Sequence, residues 1–297
     1  MAGLNASGWA PSSLTIDFLR QRGVTNIPPN TIHAVTVPGA VDGWRQLIAR
    51  FGRQPFHRLL APAIQYAEDG FPVSELVSSY WASGERLLRQ DTHAAETFLP
   101  AGRAPKTGQW FRNRDLAATY RLLAKHGPRA FYQGDLARRL VAHSRRLGGV
   151  MTEDDLRAFS AEWVNPISVR YRDWTVYEIP PNGQGIAALM MLNLMECHPL
   201  SENGPDSAQA LHVMIESKKL AYADLIKYIA DPRVSRVPIA GLLDKNYARR
   251  RNMLIDLNRA RCEVEPGLPP DAGHDTTYLC AVDGEGNMVS LIQSVYY

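Results

Sequence analysis

The sequence lacks the residue patterns that mark several classes of protein. Its three cysteines, Cys197, Cys262 and Cys280, are far apart and form no CxxC pair, so their spacing indicates neither a disulfide framework nor a zinc site. The eight histidines include no HxxxH or HExxH pair, and the GxSxG motif of serine hydrolases is absent. We therefore expect no metal ion and no cofactor, and we expect the three thiols to be buried.

The sequence also lacks long apolar runs and a large excess of one charge. No apolar run approaches the roughly 18 to 20 residues that cross a bilayer, and the segment after Met1 has neither the basic head nor the apolar stretch of a signal peptide. The net charge is +3 with the signs mixed, and the basic cluster from Arg249 to Arg251 is typical of a solvated helix face. We expect neither a membrane nor a nucleic-acid partner, and a cytoplasmic protein if Met1 is the genuine start.

The first half of the chain has mostly helical spacing. Apolar residues recur every three or four positions from Val41 to Phe51, which predicts a helix, and Gly70 is expected to end the next one. Thr152 and Asp155 have the spacing of a capping box at the start of a further helix. The polar, aperiodic stretch 87–99 is expected to be irregular. The other helices are predicted over 55–69, 116–126, 130–147 and 152–159.

Around residue 165 the period of the pattern changes from near four to two. Ile167 to Tyr171 and Thr175 to Ile179 alternate polar and apolar residues on either side of a turn, which predicts a β-hairpin. The sequence from Pro180 to Gly185 then interrupts the strand and starts an apolar helix. Because it is neither a complete GxGxxG motif nor a P-loop, we interpret it as a strand-to-helix turn rather than an anion site.

A second long helix follows, capped by Asp206 or Ser207. For Asp224 in this helix and Asp231 at its end, the alternatives are buried polar anchors and surface or capping roles, and we expect the latter. The apolar residues expected to share its buried face are Leu211, Met214, Ile215, Tyr222 and Leu225.

The last segment has the strongest strand signal in the chain. Strands are predicted from Tyr278 to Val282 and from Met288 to Tyr296. The turn-rich sequence from Asp283 to Gly286 is short enough to join them into a tight hairpin.

The register of this hairpin decides which residue faces Thr276. If Val282 faces Asn287, the residue opposite Thr276 is Gln293. A shift of one residue in the register places Ser294 there instead. We therefore expect a second hydroxyl group within about one residue of the first.

Thr276 is a candidate nucleophile whose chemistry depends on cleavage of the backbone. An internal threonine hydroxyl has no nearby acceptor for its proton, whereas an N-terminal threonine carries a free α-amine with a pKa near 8. Cleavage between Asp275 and Thr276 would supply that base. By spacing alone, however, Asp-Thr-Thr is more typical of a turn residue followed by β-branched strand formers.

The block from Asp275 to Asn287 closely resembles the processing site of the γ-glutamyltransferases, also called glutathione hydrolases. The family pattern is roughly TTHYSVVDxxGN, and its first threonine is the catalytic N-terminus. Several separate blocks in the family's order are more specific than one match, and they cover nearly the whole chain. These blocks are Val37 to Gly43, Leu60 to Ile64, Glu68 to Val73, Phe131 to Gly134, Gly148 to Phe159, Pro180 to Gly185 and Glu216 to Pro232.

The resemblance implies an α+β fold, the αββα sandwich of the N-terminal-nucleophile hydrolases, present here only in part. Residues 1–275 would be a large-subunit region that lacks its N-terminal part, and residues 276–297 would begin a small subunit made from the same precursor. The implied reaction is cleavage of a small γ-glutamyl or other acyl amide, glutathione included, through an acyl-enzyme.

The resemblance also implies roles for individual residues. Autoprocessing would occur between Asp275 and Thr276, with Thr276 as the nucleophile. Ser294 matches a family threonine whose hydroxyl hydrogen-bonds the nucleophile, in agreement with the shifted hairpin register. Thr277 matches the second family threonine and is a further candidate for binding substrate.

Two specificity residues of the family are replaced. The family arginine that binds the glutamyl carboxylate falls at Ser7, and the family asparagine that helps to hold the glutamyl group falls at Tyr296. A serine cannot offer the charged, paired donors of a guanidinium. One alternative is therefore a related acylase of the cephalosporin-acylase type with a different acyl specificity, and another is a non-catalytic fragment or remnant.

Overall fold

The computed structural model describes residues 1–204, 206–267 and 278–292, and the chain divides into two units. The first unit contains residues 1–43 and 159–297, and the second contains residues 44–158. The predicted boundary between large-subunit and small-subunit regions, at residue 275, lies outside the described residues and stays a prediction.

Helices and short strands alternate along the chain. In chain order the α-helices are α1 Ile16–Arg20, α2 Ala40–Phe51, α3 Phe56–Asp69, α4 Glu75–Leu88, α5 Thr92–Phe98, α6 Arg114–His126, α7 Arg129–Tyr132, α8 Asp135–Arg146, α9 Glu153–Ala158, α10 Gly185–Met195, α11 Leu200–Asn203, α12 Ala208–Tyr228, α13 Ile239–Leu242 and α14 Lys245–Asn252. The strands are β1 Gly3–Asn5, β2 Phe71–Pro72, β3 Trp110–Phe111, β4 Glu162–Val164, β5 Ile167–Tyr171, β6 Trp174–Glu178, β7 Tyr278–Val282 and β8 Met288–Ile292.

The described strands form antiparallel pairs: β1 with β4, β2 with β3, β5 with β6, and β7 with β8. The two predicted hairpins, β5–β6 and β7–β8, are therefore confirmed. None of the helices in the described ranges is both long enough and apolar enough to cross a membrane.

The second unit is built around the packing of α3 against α6. Leu60 and Ala67 of α3 and Ala117 and Leu123 of α6 are buried. Asn113 caps α6 by accepting the Leu116 N–H at 2.9 Å, which satisfies one of the free donors at the helix start. The predicted ends of both helices agree with the structure to within two residues.

Two predictions in the second unit are wrong. The stretch 87–99 is not irregular: α4 ends within it and α5 follows, with Asp91 accepting the Ala94 N–H at 2.7 Å as the helix cap. A seven-residue helix is too short for a clear period, so the capping aspartate was the available signal. The single helix predicted over 130–147 is divided into α7 and α8 around Gly134. The capping box of Thr152 and Asp155 is confirmed.

The core of the first unit forms where α10 packs against α12 and α14. The apolar helix α10 contributes Ile186, Met190 and Leu194, all buried. From α12, Leu220 and Leu225 are buried in the same cluster. Ser207 caps α12 by accepting the Ala210 N–H at 3.1 Å, as one of the two predicted caps.

The predicted buried face of α12 is partly wrong. Leu225 is buried, but Leu211 and Ile215 are exposed. The buried face instead includes the polar residues Glu216 and Asp224. Hydrophobic periodicity alone therefore predicts the wrong side of the helix as the buried one.

The prediction of buried thiols is also wrong, because all three cysteines are exposed. Cys197 lies just after the end of α10, Cys262 lies in a loop, and Cys280 lies on β7. Positions at helix ends and on an open hairpin keep these small side chains in contact with solvent.

Candidate active site

A strand that the sequence patterns did not reveal forms one wall of a small recess. β1 pairs with β4, which places Asn5 opposite Glu162. The chain then reaches Ser7, whose N–H donates to Asn5 Oδ1 at 3.0 Å. Three residues are too few to show a period of two, which explains why the strand was missed.

The segment around Ser7 lies directly against the Val37-Pro38-Gly39 block. The Val37 N–H donates to the Trp9 carbonyl oxygen at 3.0 Å. A Cβ on Gly39 would lie 1.9 Å from the carbonyl oxygen of Ala6, so this close approach requires glycine. The contact fixes the backbone on both sides of Ser7.

The opposite wall comes from Asn182 and from the segment that follows α12. Asn5 Nδ2 donates to Asn182 Oδ1 at 2.9 Å. The Arg233 guanidinium donates to both carboxylate oxygens of Asp231 and lies over the Trp9 ring, with Cζ 4.3 Å from the ring centre. The recess has a volume of about 30 Å³, enough for one or two water molecules, so a larger ligand would extend out of it.

The charged residues that line this recess give it a negative balance. Asp231 and Glu162 contribute carboxylates and Arg233 a guanidinium. The hydrogen bond from Arg233 lowers the pKa of Asp231, and the same bond, with a smaller effect of Glu162, raises the pKa of Arg233. The formal charges of these three groups add up to −1.

The structure places Ser7 in this recess, but it does not describe the predicted catalytic residues. Asp275, Thr276 and Thr277 lie outside the described residues, as do Ser294 and Tyr296. Their roles stay predictions.

The sequence patterns named Ser7 and Asp231 individually but not the other residues that line the recess, among them Trp9, Glu162, Asn182 and Arg233. Asn182 and Arg233 each belong to or directly follow a family-like block, which was the available signal. Trp9 lies two residues after Ser7, at which the family arginine is aligned. Glu162 gave no signal, because its place opposite Asn5 depends on the pairing of β1 with β4.

The described part of the β7–β8 hairpin fixes its register. Val282 pairs with Met288, so the register in which Val282 faces Asn287 is wrong and the register shifted by one residue is confirmed. The reason lies in the turn, where the Asn287 N–H donates to Asp283 Oδ1 at 2.9 Å and its side-chain amide donates to Asp283 Oδ2 at 2.8 Å. Asn287 therefore belongs to the turn rather than to the strand.

A second polar cluster in the first unit is buried, and here the sequence patterns were misleading. Asp224 on α12 pairs with Arg251 on α14 at 3.0 Å, and Tyr247 Oη donates to Asp224 at 2.7 Å. The predicted surface role of Asp224 is wrong, and so is the solvated face for Arg251, while Arg249 and Arg250 are exposed as predicted. Each charge is tolerated inside because it is paired with the other.

Burial affects the ionisation of this cluster. Desolvation raises the pKa of Asp224, against the opposing effects of the hydrogen bonds from Tyr247 and Gly267 and of the Arg251 charge. Burial and the hydrogen bond to Asp224 raise the pKa of Tyr247. By contrast, Asp231 is only partly buried and accepts the Arg233 N–H at 3.0 Å, in keeping with its predicted local role.

Within the described ranges, no group of three or more histidine, cysteine, aspartate or glutamate side chains could hold a metal ion. The recess instead offers hydrogen-bonding and charged side chains. Such groups can orient a polar ligand through hydrogen bonds and charge.

Comparisons with known proteins relate the whole chain to one enzyme family. Residues 1–297 match the family model described as Gamma-glutamyltranspeptidase. The chain is 36% identical over 294 residues to the glutathione hydrolase-like YwrD proenzyme of Bacillus subtilis strain 168, which covers 99% of this chain and 55% of that relative. It is 36% identical over 266 residues to the acylase ACY 1 proenzyme of Pseudomonas sp. strain SE83, covering 88% and 47%.

A solved structure gives the same result. The cephalosporin acylase from Bacillus halodurans matches with a TM-score of 0.85 and 38% sequence identity, over 97% of this chain and 53% of that one. The chain thus spans about half the length of the curated relatives it matches.

Proposed function

The chain belongs to the gamma-glutamyltranspeptidase family, and from this premise we propose that the protein is an autoprocessing amidase or acyltransferase of the glutathione hydrolase type. Its fold is part of the αββα sandwich of the N-terminal-nucleophile hydrolases, as predicted. The proposed nucleophile is Thr276, released by cleavage after Asp275. The observation that carries the proposal is the family match, which runs through the Asp275-Thr276 block.

The proposed processing step uses the same hydroxyl that later performs catalysis. Thr276 Oγ attacks the carbonyl carbon of Asp275, and the hydroxyl proton passes to the amide nitrogen of Thr276 as that bond breaks. The peptide bond is thereby converted to an ester. Water hydrolyses the ester, which leaves a carboxyl group on Asp275 and a free α-amine on Thr276.

In the mature enzyme the new α-amine serves as the base. With a pKa near 8 it accepts the hydroxyl proton of Thr276 at close to neutral pH, as the oxygen attacks the substrate amide. The proton then passes to the leaving amine, and the acyl group stays on Thr276 as an ester. Water completes hydrolysis, whereas a second amine completes transfer.

The register of the hairpin supports Ser294 as the hydrogen-bond partner of this nucleophile. Tyr278 pairs with Ile292. Two residues back along one strand and two forward along the other give Thr276 and Ser294. Because successive side chains alternate between faces, Thr277 would point to the other face of the hairpin, which makes it the weaker candidate for binding substrate.

The charges of the recess favour a second candidate for the acyl group. The family arginine is replaced by Ser7, and the lining groups Asp231, Glu162 and Arg233 carry a net negative charge. A γ-glutamyl group would bring a free carboxylate to this surface, where like charges repel it. An acylase that prefers an acyl group without that carboxylate fits these residues better.

Intact-mass spectrometry of the full-length gene product tests the nucleophile. We expect two fragments that meet between Asp275 and Thr276, and we expect Thr276→Ala to abolish both the cleavage and the amidase activity. An intact mass that persists, together with no hydrolysis of any acyl anilide, would favour a non-catalytic remnant and end the proposal.

Matched anilide substrates test the acyl group. The 4-aminobutyryl anilide keeps the amine and chain length of the γ-glutamyl anilide but lacks its carboxylate. We expect its kcat/KM to equal or exceed that of the γ-glutamyl anilide. A strong preference for the γ-glutamyl anilide would instead identify a glutathione hydrolase in the narrow sense.

A further inference from the structure

Two side chains of α12 bind both backbone polar groups of Gly267, the last described residue before the segment that contains the predicted cleavage site. Asp224 Oδ1 accepts the Gly267 N–H at 2.6 Å. Tyr228 Oη donates to the Gly267 carbonyl oxygen at 2.6 Å. Because the two residues are four positions apart, they lie on one face of the helix and bind the same residue.

Two residues of α14 complete this cluster, which we call the Gly267 clamp. Tyr247 Oη donates to Asp224 Oδ2 at 2.7 Å, and Arg251 Nη2 donates to Asp224 Oδ1 at 3.0 Å. Asp224, Tyr247 and Arg251 are all buried. The clamp therefore consists of Asp224, Tyr228, Tyr247 and Arg251, and its centre is the Asp224 carboxylate.

The clamp leaves no space for a side chain at Gly267. A Cβ there would lie 2.1 Å from Tyr247 Oη and 2.8 Å from Arg251 Cδ. Neither atom can move freely, since Tyr247 Oη is bonded to Asp224 and the Arg251 guanidinium is bonded to Asp224 and to the Glu265 carbonyl oxygen at 3.0 Å. The backbone is thus fixed from Glu265 to Gly267.

The chemistry of the clamp goes beyond what helix packing requires. Apolar side chains of similar volume often join two helices as well as a buried ion pair does, because desolvation offsets much of the attraction between the charges. Apolar side chains cannot, however, bind the N–H and C=O groups of a segment outside helices and strands. Residues 265–267 are such a segment, and the clamp binds the Glu265 carbonyl oxygen and both polar backbone groups of Gly267.

We propose that the Gly267 clamp positions the precursor for self-cleavage between Asp275 and Thr276, an inference that rests on the function proposed above. Gly267 precedes Thr276 by nine residues, and β7 begins two residues after Thr276. A backbone anchored nine residues before Thr276 has less conformational freedom to lose when the bond is held in the geometry of attack. The clamp residues act through Gly267 and are positioning residues.

The test follows self-cleavage of the full-length gene product by intact-mass spectrometry after it is folded. We expect Gly267→Ala to slow cleavage by about tenfold, within the roughly hundredfold that a 1 Å misplacement can cost. We expect Tyr228→Phe, which removes one neutral hydrogen bond to Gly267, to slow it by about threefold.

Two controls separate positioning from loss of stability. Leu194→Ala creates a cavity in the same apolar core, and it should lower the melting temperature at least as much as Gly267→Ala while cleaving at the wild-type rate. Gly84→Ala makes the same chemical change within α4, where a Cβ meets no atom within 4 Å, so it should leave the cleavage rate unchanged and raise the melting temperature slightly, because alanine favours the helix.

The outcomes distinguish this inference from the proposed function. A wild-type protein that does not cleave between Asp275 and Thr276 would overturn both. A wild-type protein that cleaves, with Gly267→Ala cleaving equally fast, would overturn the clamp alone. The clamp would also be overturned if Leu194→Ala and Gly267→Ala slowed cleavage in proportion to their melting temperatures.

Discussion

Two aspartate–arginine pairs in the first unit share their chemistry and differ in their surroundings. The side chains of Asp224 and Arg251 are 3% and 8% exposed, whereas those of Asp231 and Arg233 are 29% and 41% exposed. The buried pair joins α12 and α14 to the segment at Gly267. The open pair lies beside Ser7 in the recess that we assign to the acyl group.

This contrast indicates that burial, more than the identity of the partner, determines the direction in which the pKa of the aspartate shifts. Desolvation raises the pKa of Asp224 although it is bonded to an arginine. The hydrogen bond from Arg233 lowers the pKa of the partly exposed Asp231, because there it outweighs desolvation. The buried pair contacts only other groups of the protein, whereas the partly exposed pair is accessible to solvent and could contact a ligand.

The largest expected difference between the pairs is in stability. Asp224→Ala leaves the Arg251 charge, the Tyr247 hydroxyl and the Gly267 N–H buried without their acceptor, so we expect a loss of about 3–5 kcal/mol in the free energy of unfolding. Asp231→Ala removes a partly exposed pair, and we expect a loss of about 1 kcal/mol or less. Chemical denaturation of both variants measures the two values.

The two variants control each other, because each removes one carboxylate paired with an arginine. Similar losses for both would show that the buried pair relaxes or takes up water, and the contrast would then be wrong. A loss for Asp231→Ala near that of Asp224→Ala would also mean that the recess is a structural element rather than a ligand site.

Much of the fold follows from patterns that the sequence carries locally. α3, α6 and the two hairpins were predicted because long helices and alternating strands repeat their periods several times. β1 and α5 are too short to do so. The buried face of α12 was misjudged for a different reason, since its polar residues are buried through partners that are distant in sequence.

Some features of the candidate site could likewise be predicted from the sequence, and others could not. The replacement of the family arginine by Ser7 and the shifted register opposite Thr276 were both available from the sequence. The arginine that does lie near Ser7, Arg233, could not be assigned to the recess, because its position depends on contacts with Trp9 and Asp231. Nor could the roles of Asp224 and Asp231 be told apart, since burial distinguishes them and spacing does not.

A smaller effect is expected from the charge of the recess, and it concerns the preference between the two anilide substrates. Glu162→Gln changes the net charge of the three lining groups from −1 to zero, so we expect kcat/KM for the γ-glutamyl anilide to rise about fivefold relative to the 4-aminobutyryl anilide. Fivefold corresponds to about 1 kcal/mol, the upper range for partly exposed charges. Glu75→Gln, at an exposed position on α4 in the second unit, is the matched control and should leave the ratio unchanged. An unchanged ratio for Glu162→Gln would remove charge as the basis of acyl preference.

The smallest effect is on the pH dependence of stability, where the two aspartates should differ in sign. The folded pKa of Asp231 is lowered, so its contribution is present above its unfolded pKa of about 3.9 and is lost as the pH falls through the folded pKa. The folded pKa of Asp224 is raised, so its contribution is greatest below the unfolded pKa and decreases as the pH rises through the folded pKa.

Urea unfolding of Asp231→Asn and Asp224→Asn from pH 3 to pH 7, each subtracted from the wild-type curve, should therefore give opposite slopes. Because Asp231 and Arg233 are partly exposed, the change for that pair should stay below about 1 kcal/mol. Slopes of the same sign would mean that the hydrogen bonds to Asp224 outweigh its desolvation, and that the two pairs differ in strength rather than in kind.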